Sequence, residues 1–209
     1  RGQTVGRLQK WLTSGLISTQ LALAAFSLSV TLLLTLQQIN LYQTDLGFHP
    51  RQMHIVTYDF PLDKPSQQYQ ADLAQLFRYL GQSNAETQVT AAIVTPLSST
   101  FSFGSWTLPD GRPVGQISGG GTLNNRVAAN YFEVMQTPLL LGRNFAKGVH
   151  GEIVVNQTLW QRFFDQQLLA DARLNLDGQS YRIVGVVQDI RYQGPDTPAE
   201  PMIYLELTN

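Results

Sequence analysis

The chain has no cysteine, few charges and almost no excess of one sign. Of its 209 residues only 14% are Asp, Glu, Lys or Arg, and the formal net charge is −1. Without cysteine there is no disulfide framework, so nothing fixes the redox compartment, and the absence fits a bacterial envelope domain. A near-neutral balance excludes the basic face that nucleic acid demands. The three histidines, His49, His54 and His150, stand in no ligand spacing such as HxxxH or HExxH. There is no GxSxG elbow and no Walker motif, and the Gly119–Gly121 run lacks the GxxxxGK[ST] context of a phosphate loop. Acids such as Asp59 and Asp63 share a loop with nothing around them that suggests acid–base work. The chain is therefore expected to be no enzyme, with no catalytic residue, metal or cofactor.

What is present is a long stretch without charge. Between Trp11 and Tyr42 no residue is ionisable except the terminal tyrosine, and Gly15 to Leu36 is an apolar run longer than the roughly 20 residues that span a bilayer core. It is too long for the apolar core of a signal peptide, and no small-x-small cleavage pattern follows it. A buried helix of a soluble fold is usually shorter and seldom so free of charge. Arg1, Arg7 and Lys10 precede the run and Asp45 is the first charge after it, so the positive-inside rule predicts a cytoplasmic start and an external domain. The first residue is Arg1, and the chain is expected to be a segment of a longer polypeptide. The expected divisions are a cytoplasmic flank at 1–11, a transmembrane helix at 12–36 and a helical stalk at 37–46.

At 100° per residue, Thr13, Gln20, Ala24, Ser27, Thr31, Thr35 and Gln38 fall in one stripe, with Ala22, Phe26 and Leu33 opposite. Small and hydroxylated residues let membrane helices approach and hydrogen-bond, so the stripe is expected to face other helices and Phe26 lipid. Past the helix, Asp45 to Pro50 reads as a break. Met53–Phe60 and Thr87–Pro96 read as strands around a helix that starts near the N-cap Ser66, with Tyr69, Leu73, Leu76, Phe77 and Leu80 on one face. Residues 97–126 read as short strands and loops. A short helix is expected at Tyr131–Met135, a strand at Glu152–Asn156, and an amphipathic helix at Gln157–Phe164 burying Leu159, Phe163 and Phe164. Asp177–Gly178 marks a hairpin, and Met202–Leu207 a last strand. The aromatics Trp106, Tyr131, Phe132, Phe145, Trp160, Phe163 and Phe164 are expected to fill cores rather than line a ligand groove.

Several of these phrases occur in a known order. Tyr131-Phe132, Pro138-Leu139, Gly142-Arg143 with Phe145, Val154-Val155-Asn156 and Val184-Gly185-Val186-Val187 follow one another, after Asp45-Leu46-Gly47-Phe48 at the front. The arrangement resembles the periplasmic core domain of MacB-type, FtsX-like ABC transporter permeases over nearly the whole chain. It departs in Phe163 to Leu176, where the family commonly carries a glycine and a Pro-Ile-Gly, and this puts the turn near Asp171 in doubt.

The resemblance implies an α+β fold: one N-terminal transmembrane helix, then a two-lobed extracytoplasmic domain. A porter-like βαβ lobe would take residues 47–128 and 183–209, and a smaller inserted mixed α/β lobe 129–182. It implies structural roles for Tyr131, Phe132, Pro138, Gly142, Arg143, Phe145, Asn156, Gly185 and Val187, with Arg143 capping or bracing a lobe boundary. It implies a place in the bacterial inner membrane with the domain in the periplasm. The implied partners are an ABC ATPase subunit or domain, a second permease copy or half, a periplasmic adaptor and membrane lipid. The function it implies is an export or mechanotransmission permease whose outer domain relays ATPase-driven helix motion. The alternative is the ligand-sensing ectodomain of a membrane-bound receptor, which shares the layout of helix then domain.

Overall fold

In a computed structural model the chain divides into two compact units, Arg1–Thr44 and Asp45–Asn209. The structure describes residues 2–50, 53–57, 71–72, 75–79, 88–98, 100–115, 121–146, 149–165 and 167–207.

The first unit is one helix, α1, Gly2–Gln43, of 42 residues. It contains no proline and only Gly15 inside the apolar run, so nothing in it breaks the hydrogen-bond ladder. Its Trp11–Tyr42 portion, whose most apolar 18-residue stretch has a mean hydropathy of 1.8, is long and apolar enough to cross a membrane. The hydroxyls along it turn back on their own backbone. Thr19 donates to the Gly15 carbonyl at 2.8 Å, Ser29 to Ala25 at 2.9 Å, and Thr31 and Thr35 to Ser27 and Thr31 at 2.8 Å each. Such i−4 bonds satisfy the donor where no water is available.

The second unit is built on an eight-stranded sheet. Its strands are β1 (Ser102–Gly104), β2 (Trp106–Thr107), β3 (Thr122–Val127), β4 (Leu139–Gly142), β5 (Glu152–Asn156), β6 (Arg173–Leu176), β7 (Gln179–Val187) and β8 (Met202–Glu206). The order is β1-β3-β8-β5-β7-β6-β2, and β4 pairs with β7 off this path. β3 with β8 and β5 with β7 are parallel, and the remaining ladders are antiparallel. β1 and β2 stand at opposite ends of the path, yet only Ser105 separates them in the chain. Consecutive Cα atoms are about 3.8 Å apart, so the sheet must curl until its two ends meet.

Every residue of β5 and β8 is buried. Along β8, Met202 and Tyr204 join one core while Ile203 and Leu205 join the other, and Val154 is separated from Ile153 and Val155 in the same way. A strand covered on both faces needs apolar residues at odd and even positions, which is why EIVVN and MIYLEL are near-continuous apolar runs. The first core also takes Phe48, Leu123, Tyr131, Phe132 and Phe145, and the second Trp106, Leu159, Trp160 and Phe164. The strands expected in the small lobe and those expected in the porter-like lobe share this one sheet, and β7 runs through the 182/183 boundary.

Two short helices pack on the sheet: α2, Tyr131–Met135, and α3, Gln157–Phe163. A 3-10 turn at Leu169–Asp171 fills the stretch where the family phrase is missing. The β6–β7 hairpin turns on Asp177 (φ 52°) and Gly178 (φ 78°). Left-handed backbone at both positions is the type I′ geometry whose twist matches the flanking strands.

Three local expectations need correction. Met53–Thr57, the described part of the first expected strand, carries no ladder, and Ile55 and Val56 are exposed. The described residues of Thr87–Pro96, 88–96, form only a bridge between Ala92 and Val127, flanked by Ile93 N–H to Arg126 O at 3.0 Å and Ala128 N–H to Ala91 O at 2.8 Å. The reason is edge length. β3 offers six residues, and β1 already takes Thr122 to Asn124. A side chain holds the segment instead: buried Asn125 accepts from Val94 N–H at 3.0 Å and donates to Val94 O at 2.7 Å. On α3 the buried face is Leu159, Trp160 and Phe164, with Phe163 only half-buried. Trp160 stacks on Phe164 at 5.5 Å, and Phe163 lies under the Arg162 guanidinium at 5.8 Å. The helix that precedes this region is described only at 71–72 and 75–79, where Leu76 and Phe77 are half-buried. Ser66, Tyr69, Leu73 and Leu80 lie outside the described residues.

Candidate functional site

The chain enters the domain through Asp45–His49, and this junction is held at every residue. Asp45 Oδ1 accepts from Gly47 N–H at 2.8 Å, and Oδ2 from the Gln188 amide at 2.7 Å. Arg191 N–H donates to Leu46 O at 2.9 Å, and Thr137 Oγ1 donates to Gly47 O at 3.0 Å. Gly47 has φ +76°, and a Cβ there would lie 1.7 Å from the Asp189 carbonyl oxygen. Only glycine fits, on both counts. Phe48 then inserts into the core, and His49 N–H reaches Met135 O at 3.3 Å.

Asp189, whose backbone Gly47 touches, has a second contact. Its Oδ1 accepts from Thr158 N–H at 2.9 Å and its Oδ2 from Thr158 Oγ1 at 2.7 Å, in the first turn of α3. Asn156, the residue that caps α3, accepts from Leu159 N–H at 3.1 Å and from Met202 N–H at 2.9 Å, and donates to Glu200 O at 2.8 Å. The junction, the segment after β7, α3 and the start of β8 thus form one hydrogen-bonded series.

A second polar cluster sits at the far end of β5. The buried Glu152 carboxylate pairs with Arg143 and, at 2.7 Å, with Arg182, both of them half-exposed. The Arg143 guanidinium, assisted by Arg182, holds the Glu152 carboxyl below its ordinary value of 4.5 against the opposing effect of burial. A carboxyl whose folded pKa lies below its unfolded one binds fewer protons when folded. Its stabilising contribution is complete above the unfolded value and disappears as pH falls through the folded one. The domain is therefore expected to lose stability as the medium is acidified below about pH 4.5, and Glu152→Gln to flatten that loss. Thermal melts of both proteins across the acid range would check this, and parallel curves would refute it.

Gly142 and Gly185 pair across β4 and β7. A Cβ on Gly142 (φ +72°) would lie 2.2 Å from Val184 O, and one on Gly185 2.2 Å from Arg143 O. The two strands meet backbone against backbone, which aims Arg143 at Glu152. Tyr131, Phe132, Phe145 and Val187 share the first core, with ring centroids 5.5 Å apart for Tyr131–Phe132 and 6.1 Å for Phe132–Phe145. Pro138 is exposed, and its carbonyl accepts from Gln188 N–H at 2.9 Å. Gly142, Arg143 and Gly185 thus come together, as do the aromatics, while Asn156 stands at the other end of β5, where it caps α3. Thr13, Gln20, Ala24, Ser27, Thr31 and Thr35 lie on α1, in the separate unit. Thr31 and Thr35 spend their hydroxyl protons within the helix, so they can offer a neighbour only acceptor lone pairs.

Sequence reasoning missed Asp189, Glu152, Asn125 and Tyr192. Buried Asn125 also donates to Tyr192 Oη at 3.0 Å, which lies 3.1 Å from Tyr131 Oη. Burial pushes both phenols up. The available signal was a polar residue at the end of an apolar strand, Glu152 before IVV and Asp189 after VGVVQ. Among the described residues no group of three or more His, Asp or Glu could hold a metal ion.

Residues 18–209 match the sequence model of the MacB-like periplasmic core domain. Among solved structures, the periplasmic region of MacB from Actinobacillus actinomycetemcomitans is similar at 16% identity and a TM-score of 0.44, covering 65% of this chain and 55% of that one. The extracellular domain of the noncanonic ABC-type transporter YknZ from Gram-positive bacteria is similar at 12% identity and a TM-score of 0.44, covering 64% and 62%. The matches thus span less than two thirds of those chains. No curated protein sequence matches. A family match over residues 18–209, from within the apolar helix to the end of the folded domain, means that this chain belongs to the MacB-like periplasmic core domain family.

Proposed function

We propose that the chain is a non-catalytic permease segment of an ABC-type complex. In this reading α1 crosses a bacterial inner membrane, and residues 45–209 stand in the periplasm and relay ATPase-driven helix motion to envelope substrates or partners. The observation that carries it is the family match, which takes in the larger part of the apolar helix and the domain as one unit of sequence. Three features support it. At 1.5 Å per residue, the 42 residues of α1 reach about 63 Å, twice the hydrocarbon thickness, so an unbroken rod can extend beyond the bilayer. Arg1, Arg7 and Lys10 before the span and Asp45 after it favour a cytoplasmic start. The junction that follows is pinned from Asp45 to His49, so a pull on it acts on the sheet and not on a slack linker.

The partners in this reading are an ABC ATPase subunit or domain, a second permease copy or half facing the Thr13–Thr35 stripe, a periplasmic adaptor and the surrounding lipid. Locking the stalk tests it. A thiol introduced between Gln37 and Gln43, cross-linked to one on a neighbouring helix, is expected to abolish ATP-driven export while nucleotide binding persists. Undiminished export with the cross-link in place would overturn the relay.

A further inference from the structure

Asp189 meets the junction with its backbone and α3 with its side chain. Its carbonyl lies flush against Gly47, with no room for a single added carbon. Its carboxylate takes both the backbone and the side-chain donor of Thr158. On either side of it, Gln188 holds Asp45 and Arg191 holds Leu46. From Thr158 the series continues through α3 to its cap Asn156, and from Asn156 to Met202 N–H and Glu200 O at the start of β8. β8 lies between β3 and β5 in the middle of the sheet. A displacement of the junction therefore has a stiff route to the sheet's centre. The hydrogen bonds of Gly47 O to Thr137 and of His49 N–H to Met135 lead to the end of α2 and not to α3 or β8, and Phe48 enters the first core by apolar contact without direction.

We infer that Asp189 is the positioning residue through which the junction's movement reaches α3 and β8. Its backbone is the input contact and its carboxylate the output contact. This rests on the relay reading above and names the residue that the relay would use. Coupling of this kind requires an element with two arrangements, both of which the distant site biases. The candidate is α3, a helix of 7 residues whose first turn is fixed by Asn156 and Asp189.

The test is amide hydrogen exchange on the full-length permease with its ATPase in membranes, compared without nucleotide and in the ATP-bound, vanadate-trapped state. In the wild type, exchange at residues 45–49 and at residues 157–163 is expected to change together. In Asp189→Ala the change at 45–49 is expected to remain and the change at 157–163 to be lost. Asp189→Asn keeps an acceptor for Thr158 N–H and is expected to restore it. A purely structural role would raise exchange at α3 equally in both states and leave its nucleotide dependence intact, which would overturn the inference while the relay stood. If neither segment of the wild type responds to nucleotide, the relay reading falls and this inference with it.

Discussion

Replacing Asn156 with alanine is expected to destabilise the domain by about 3 kcal/mol, a loss built from a helix cap and a buried donor left without a partner. The Asn156 side chain is 1% exposed as a residue and makes three hydrogen bonds, to Leu159 N–H, Met202 N–H and Glu200 O. Alanine leaves the first amide of the buried strand β8 without its side-chain partner. The carbonyl of Glu200, in an exposed residue, can be rescued by solvent and adds little. For a domain of this size such a loss lowers the melting temperature by roughly 6–12 °C. Asn156→Asp keeps both acceptor contacts but loses the donor and sets a buried carboxylate against the Glu200 carbonyl, so it is expected to recover only part of the difference. Thermal unfolding of the purified chain in detergent, followed by near-ultraviolet circular dichroism, reads both values. An alanine variant that melts with the wild type would remove Asn156 from this role.

The second large effect is expected at Gly185, from crowding rather than from a lost partner. Its added methyl would stand 2.2 Å from the Arg143 carbonyl oxygen and 3.2 Å from Leu139 Cδ1. The nearer obstacle is backbone, and that backbone is itself fixed by Arg143 N–H donating to Val184 O at 2.9 Å. Neither strand can withdraw without breaking the β4–β7 ladder. Gly185→Ala is therefore expected to cost about 3 kcal/mol, the upper range for overpacking, and to swing Arg143 away from Glu152. The control is Gly178, where a Cβ meets nothing within 4 Å and only the left-handed φ of 78° opposes alanine. There the expected cost is about 1 kcal/mol. Equal melting temperatures for the two variants would show that the close approach at Gly185 relaxes freely.

What could be read from the sequence was what local chemistry dictates. The Asp177–Gly178 turn was legible because two successive left-handed residues demand that pair, and β5 and β8 because burial on both faces leaves an apolar run. α1 was legible because a bilayer tolerates so few compositions. Met53–Thr57 looked like a strand because its residues suit one, but a strand also needs a free edge, and sequence does not say which edges are taken. Phe163 was placed too deep on α3 for a related reason. On a helix of 7 residues the buried stripe is set by where the sheet lies, and one position either way fits the spacing. The polar framework was the least legible part. Asp189 meets Thr158, Asn125 meets Tyr192 and Glu152 meets Arg182 across 31, 67 and 30 positions. Each residue alone reads as an ordinary surface polar group until the fold closes around it.

The place of β8 has a consequence for how the domain is made. It is the last strand in the chain, yet it separates β3 from β5, pairing Leu123 with Met202 on one side and Val155 with Ile203 on the other. While synthesis proceeds from the amino terminus, the middle of the sheet stays vacant until residues 202–206 arrive, and both flanking strands keep an unpaired backbone edge facing the gap. Closure at such separation is slow, because loop entropy is spent before any pairing returns it. The nascent domain thus has a window in which those two edges are bare, and that window shuts only when residues 202–206 have been delivered.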